Sequence, residues 1–397
     1  MDKRITKLAK LVVDYSLNVK EGEKILVDGL TTNELFIGEL CRQILLKKAI
    51  PVTNIRHKDF ELLLLNYGNK KQISYSPKYL LEMIDQTDGV IDIEFGYDSK
   101  KLNEIHPKLI STRAKATKPF WNKLLFERNS YKRTTVLLPT EYFSKDAKME
   151  MKKYEDLVYG ACFIDWKSLS ERFRRINNLF TKGDSVHLIG DNVDLKFSVK
   201  GRNSIIEDGR ENMPGGEIYM APLKTSLNGW IKFEFPSLWD GVEAADIFLE
   251  FKNGEVINSK ASKGEAHLRS ILETDPGARF VGEFGIGIHP TLKAQTNSWL
   301  DEKISGTIHL ALGKSYEENK GDNDSAVHWD LVKDMRKAKI ILDGRVVQEN
   351  GEWKPELLNP QPRVLSAQTI FKRKKRIIRK ITSNPTNLAK GTHEKLF

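Results

Sequence analysis

KILVDGLTTNELFIGELCRQILLKKAIPVTNIR, residues 24–56, decides the fold. KILVDG (24–29) is a short apolar run closed by glycine, the signature of a buried strand. NELFIGELCRQILLKK (33–48) repeats its apolar residues at helical spacing, with Thr31, Thr32 and Asn33 as cap candidates. PVTNIR (51–56) reads as a second strand. The alternation continues outward in both directions. Residues 4–20 have helical spacing, SPKYLLEMIDQ (76–86) is a helix with proline in its first turn, and GVIDIEF (89–95) is a third strand. The pattern predicts a helix over 99–117, a strand at TTVLLP (134–139), and helices onward to about Lys182. Such a βαβα rhythm calls for an open, mostly parallel sheet with helices on its faces.

After Gly183 the rhythm changes. SVHLIGDNVDLKFSVKG (185–201), DIFLEFKNGEVINSKA (246–261) and IILDGRVVQ (340–348) are hairpins, turning at Asp191-Asn192, Asn253-Gly254 and Asp343-Gly344. One helix is expected over 263–274. The expected architecture is therefore an α/β N-terminal domain with a mostly parallel sheet (1–183), then a β-rich α+β C-terminal domain (184–360). From about Asn359 a basic segment follows (361–397), expected to be disordered apart from one short helix at FKRKKRIIRK.

Composition bounds the function. At 397 residues, 40% hydrophobic and 30% charged, the chain reads as globular, soluble and larger than one typical core. No apolar run reaches the roughly 18 residues needed to span a bilayer. The N-terminus lacks the continuous apolar segment and cleavage site of a signal peptide. The two cysteines, Cys41 and Cys162, do not form a disulfide framework and fit a reducing, cytoplasmic setting. The net charge of +10 resembles a nucleic-acid signal, but residues 361–397 carry ten Lys/Arg and one acid, so the remaining chain is only +1. Nucleic-acid contact would be a property of the tail, sequence-blind and salt-dependent.

Several familiar motifs are absent. HEKLF (393–397) has Phe397 where the second histidine of a HExxH zinc motif belongs. GKS (313–315) lacks the upstream glycine of a P-loop, because that position is Ile308. GIGIHP (285–290) sits far from the first βαβ unit, and no GxSxG nucleophile elbow occurs. Cys162, in YGACFIDW, is flanked by apolar residues and reads as core.

What remains is a set of metal-type donors in unusual settings. TIHLALGKSYEENKGDNDSAVHWD (307–330) brackets a polar loop with two apolar runs, each bearing a histidine. If VHWDLV is a strand, His328 and Asp330 project to one face and Trp329 to the other, a clamp of one nitrogen and one oxygen. His309 lies on the other run. Glu217 follows Pro-Gly-Gly in NMPGGEIYMAP (212–222), and Glu283 interrupts the apolar, glycine-rich RFVGEFGIGIHP (279–290). A carboxylate in such a run must be paired, hydrogen-bonded or metal-bound.

Taken together, LVVDYSLNVKEGEKILVDG, DLKFSVKGR, NMPGGEIYMAP, GEFGIGIHP, HLALGKSY and HWD resemble, in order, the aminopeptidase T family of thermophilic-type metallo-aminopeptidases. The resemblance implies metal ligands at Glu217, Glu283, His309, His328 and Asp330, with Tyr316 beside them. It implies two divalent ions (Zn, Co or Mn), a catalytic domain at 184–360, and a homodimer enclosing the active-site cavity. The expected reaction is removal of N-terminal residues from short peptides by metal-activated water. Glu283 is the expected bridging carboxylate, with Glu217 as the other candidate, and Tyr316 the donor to the oxyanion. His289 reads as a loop histidine, with a substrate-facing role as the alternative. Competing readings are a hydrolase of another amide, a non-catalytic binding protein with a nucleic-acid-contacting tail, and a nucleotide-dependent enzyme, which the missing glycine fingerprints disfavour.

Overall fold

The computed structural model describes residues 2–94, 96, 101, 104–126, 131–239 and 242–358. The basic segment 361–397, with the short helix and disorder expected there, lies outside the described residues, as does any nucleic-acid contact through it. The first strands form as the opening stretch requires. β1 (Lys24–Leu30), β2 (Ile50–Arg56), β3 (Gly89–Glu94) and β4 (Lys132–Leu137) pair in parallel in the order β2-β1-β3-β4. Only Lys24 is exposed in β1, and β3 is buried up to Glu94, as expected of central parallel strands covered on both faces. The helix Glu34–Leu46 buries Phe36, Ile37, Leu40 and Ile44 on its sheet-facing stripe. The helix expected over 99–117 instead spans Pro107–Phe126. Pro107 supplies a φ suited to a first helical turn, and the helix continues past an internal Pro119.

Beyond the helix Trp166–Lys182 the antiparallel hairpins appear. β5 (Ser185–Gly190) and β6 (Val193–Ser198) begin an eight-stranded sheet. It is completed by β10 (Asn228–Phe233), β13 (Ile247–Lys252), β14 (Glu255–Lys260), β18 (Ala338–Leu342), β19 (Arg345–Glu349) and β20 (Glu352–Trp353). The turns at Asn253-Gly254 and Asp343-Gly344 hold both residues at positive φ, the hairpin geometry their sequence predicts. β11 (Ser237–Trp239) and β12 (Val242–Ala244) form a small separate ribbon. The short β8 (Asn212–Met213) leaves the second half of the chain to join the parallel sheet beside β4. A single compact unit runs to Lys354, and residue 183 falls inside it.

The site lies on a five-stranded sheet of order β17-β16-β15-β9-β7. Its strands are β7 (Ile205–Glu207), β9 (Glu217–Met220), β15 (Val281–Gly287), β16 (Thr307–Gly313) and β17 (His328–Asp334). Every residue of β9, β15 and β16 is buried, so both faces of this sheet are covered. One face is apolar. Phe284 meets Phe180 of the helix Trp166–Lys182 at 6.3 Å and Phe197 of β6 at 5.0 Å between ring centroids. Removing this ring leaves a cavity between three layers, so Phe284→Ala should cost about 3–5 kcal/mol, read as a lowered denaturation midpoint with an unchanged slope.

Candidate metal centre

The register of the five-stranded sheet decides which side chains meet. Directly opposed residues of an antiparallel pair share a face. Glu217 stands opposite Gly287, His309 opposite Gly285, and Glu283 and Asp330 on either side of Ala311. His328 stands opposite Gly313. All five predicted ligands therefore project to the face away from Phe284, and each has a glycine or alanine across from it. The small residue is required at Gly285, where an added Cβ would fall 1.9 Å from His309 Cε1. In the Gly-Ile-Gly run after Glu283, Gly285 thus leaves the space that the His309 ring occupies, and Gly287 leaves room for the Ile304 carbonyl.

The donor atoms converge. His309 Nε2 lies 3.1 Å from Glu283 Oε1, 3.4 Å from Glu217 Oε2 and 3.9 Å from Asp330 Oδ1. His328 Nε2 lies 3.6 Å from Asp330 Oδ2 and 3.8 Å from Glu283 Oε2. A tetrahedral ion with donors about 2.0–2.2 Å away places those donors roughly 3.3–3.6 Å from each other, close to these separations. His328 donates Nδ1–H to the Lys314 carbonyl at 2.7 Å, which leaves the Nε2 lone pair facing the carboxylates. Tyr316 also reaches His328, its hydroxyl 3.4 Å from Nε2. Glu217 Oε2, His309 Nδ1 and Asp330 Oδ1 are buried with no hydrogen-bond partner among the described residues.

Two residues the sequence reading missed complete the cluster. Glu302, from the short helical turn Asp301–Lys303, groups with Glu217 and His309; Glu283, His309 and Asp330 form a second group of metal-type donors. Lys303 is 1% exposed and reaches Glu217 Oε1 at 2.5 Å and Glu302 Oε2 at 3.1 Å. No periodicity in SWLDEKISG marks these residues, and only the tertiary fold turns them inward. Four carboxylates thus face one ammonium in a buried space, a surplus of negative charge that is costly without cations. Burial, with Glu283 and Glu217 nearby, pushes Asp330 up to about 7, although His309 opposes this. Burial and Asp330 hold Glu302 well above the usual carboxylate range. Burial works against the Lys303 charge, but Glu217 and Glu302 outweigh it and keep its pKa well above the ordinary lysine value. Burial lowers the His328 pKa. Imidazoles and surplus carboxylates are the donor set that hard or borderline divalent ions take.

The cluster opens into a cavity of about 220 Å³. Its opposite wall comes from the parallel sheet and its helices, including Asp92, Glu94, Trp121, Arg133 and Thr135. His289 is not on this cavity; it lies just beyond β15, outside the named strands and helices. It is fully buried, with Nε2 donating to Ala161 O at 3.1 Å and Nδ1 accepting from the backbone amides of Thr291 and Leu292 at 3.3 Å. Burial lowers its pKa to about 4, so it is a neutral structural link. Cys162 is likewise fully buried, and burial pushes its thiol pKa up.

A centre of clustered carboxylates and imidazoles, set on a sheet face beneath a cavity, defines a metallohydrolase. The chain belongs to the thermophilic metalloprotease (M29) family, whose sequence profile matches residues 1–353. This bears out the resemblance to aminopeptidase T. Aminopeptidase AmpS of Bacillus subtilis is 23% identical, over 88% of this chain and 98% of its own. Aminopeptidase 2 of Geobacillus stearothermophilus is 24% identical, over 89% and 96%. Aminopeptidase T of Thermus thermophilus is 22% identical, over 89% and 97%. The solved structure of wild-type AmpT from Thermus thermophilus matches the fold with a TM-score of 0.76 at 20% identity, covering 88% of this chain and 99% of that one.

Gly285→Ala should displace the His309 ring and weaken divalent-ion binding at least about tenfold, measured by titration calorimetry on folded protein. Glu207, on β7, makes a separate prediction. Burial raises its pKa from 4.5 to about 7, although its carboxylate accepts the Asn212 amide. The folded state keeps this proton where the unfolded chain has lost it. Its contribution to stability is complete below about 4.5 and disappears as pH rises through about 7. Urea unfolding of chelator-treated protein should show stability falling across that window, and Glu207→Gln should remove that part of the slope.

Proposed function

We propose that this protein is a metallo-aminopeptidase that removes the N-terminal residue from short peptides, with two divalent ions (Zn, Co or Mn) held by Glu217, Glu283, His309, His328 and Asp330. The observation that carries this reading is the convergence of all five residues on one buried sheet face, with more negative charge than Lys303 balances. Glu302 is positioned to assist from the Glu217 side. Glu283 suits the bridging role, since its two oxygens face two different imidazoles, 3.1 Å from His309 and 3.8 Å from His328. Glu217 suits it less, because Lys303 takes one of its oxygens.

Divalent ions at such a centre supply Lewis acidity and lower the pKa of a bound water toward neutrality. The protein's own groups do the rest. The His328 tautomer is fixed by the Lys314 carbonyl, so its lone pair stays directed into the centre. The Tyr316 hydroxyl, on the cavity wall next to His328, is placed to donate to the oxygen that becomes negative when the peptide carbonyl is attacked. The acidic surroundings favour a substrate ammonium, which a free N-terminus provides and an acetylated one does not. In this reading residues 184–360 carry the chemistry, and residues 1–183 supply the facing wall. A homodimer is part of the proposal. Leu45, Leu46, Ile50 and Ile55, exposed on or beside β2, the end strand of the parallel sheet among the described residues, support a self-associating face. A cytoplasmic setting fits the free Cys41 and Cys162.

Chelator-stripped protein, reloaded with Zn, Co or Mn, should cleave short peptides with free N-termini and leave their acetylated counterparts intact. Glu283→Ala and His328→Ala should abolish turnover in folded protein, and near-normal activity in either metal-loaded variant would overturn the assignment. Tyr316→Phe should lower kcat about 100–1000-fold with little change in KM.

A further inference from the structure

At the β17 edge of the sheet the centre adjoins a second hollow of about 180 Å³. Glu302, His328 and Asp330 line both this hollow and the larger cavity, as does Trp299. A group entering the hollow would therefore remain within reach of a backbone held at the centre. The residues that line it alone include Leu238 and Trp239 of the β11–β12 ribbon and Val332, with Asn297, Ser298 and Asp301 on its polar side.

The polar atoms of Trp329, Ser237 and Asp301 are already engaged. Trp329 Nε1 donates to Ser237 Oγ at 2.8 Å, and Ser237 Oγ donates to the Asp330 carbonyl at 3.1 Å. These two bonds also fasten the ribbon to β17. The Asp301 carboxylate accepts the Thr296 amide at 2.6 Å, the Thr296 hydroxyl at 2.8 Å and the Asn297 amide at 2.9 Å. Glu302 faces Lys303 and the metal-type donors. Beside these polar groups, the hollow offers a guest the apolar and aromatic surface of Leu238, Trp239, Trp299 and Val332. An apolar cavity of roughly 150 Å³ is enough to hold a benzene ring, so this one has room for a large aliphatic or aromatic side chain.

We propose that this hollow receives the side chain of the substrate's first residue, and that Leu238, Trp239 and Trp299 select for a bulky, uncharged aliphatic or aromatic group. The inference rests on the aminopeptidase reading and adds the residues that set its specificity. A charged side chain would lose its hydration against indole and leucine surface, and an acidic one would also approach Asp330 and Glu302.

The test uses metal-loaded full-length enzyme and dipeptides Xaa-Ala with Xaa as Gly, Ala, Leu, Phe, Lys or Glu. A single methylene in an apolar pocket is worth about 10–200-fold in kcat/KM, so Leu and Phe should exceed Ala at least tenfold, with Lys and Glu below Ala. Leu238→Trp, which fills the hollow from a half-buried ribbon position, should shrink the Leu/Ala ratio at least tenfold, mainly through KM. Trp239→Ala, which enlarges it, should also reduce the ratio. A flat profile, a preference for Lys or Glu, or a ratio unmoved by both variants overturns the pocket. A parallel measurement separates the two readings: quenching of tryptophan fluorescence by free leucine, phenylalanine and alanine. Cleavage with a flat profile and no preferential leucine binding leaves the aminopeptidase and removes the pocket. Preferential leucine binding, lost in Leu238→Trp, without cleavage of any peptide retains the pocket and removes the aminopeptidase. Absence of both overturns both.

Discussion

Strand register is the constraint on which the centre depends. Side chains alternate along a strand, so a one-residue slip between β15 and β16 would send His309 to the Phe284 face and bring Ile308 or Leu310 to the donor face. The apolar face prevents that slip, because Phe284, Ile286, Ile308 and Leu310 are all buried against neighbouring layers. The hydrophobic effect therefore holds the register, and the register assembles the donors. The bulge between Val281 and Glu283 adjusts this pattern locally, putting Glu283 opposite Ala311.

The second governing feature is charge. Glu217, Glu283, Glu302 and Asp330 are brought close together in a largely buried cluster, and Lys303 offsets only part of their mutual repulsion. A fold that stabilises such a cluster through its apolar layers gains a site that divalent ions complete. The buried Lys303 ties the turn that supplies Glu302 to β9 through Glu217, and so links the loop to the sheet. The Lys314 carbonyl does the corresponding work at the other end, setting which nitrogen of His328 is available.

The two halves of the chain contribute differently. The sheet of β7, β9 and β15–β17 supplies the donors, while Asp92, Glu94 and Arg133 of the parallel sheet and Trp121 of the helix Pro107–Phe126 face them across the cavity. β8 joins the parallel sheet immediately before the Pro-Gly-Gly run that leads into Glu217. The two sheets are thus coupled through the segment that positions a donor.

Much of this was legible in the chain. The strand–helix–strand reading of 24–56, the hairpins at Asn253-Gly254 and Asp343-Gly344, and the shared face of His328 and Asp330 rest on local periodicity and turn chemistry, which operate over a few residues. The set Glu217, Glu283, His309, Tyr316, His328 and Asp330 was legible as motifs that resemble a family. Glu302 and Lys303 were not, because a charged turn reads as solvated until its neighbours bury it. The role of Gly285 was hidden for the same reason, since it exists only opposite His309 on another strand. Sequence by itself determined which segments become strands and helices and which residue types are available to bind a metal. Tertiary structure alone decided which of them meet, because long-range strand pairing and burial set the distances and the local dielectric that turn separate carboxylates and imidazoles into one centre.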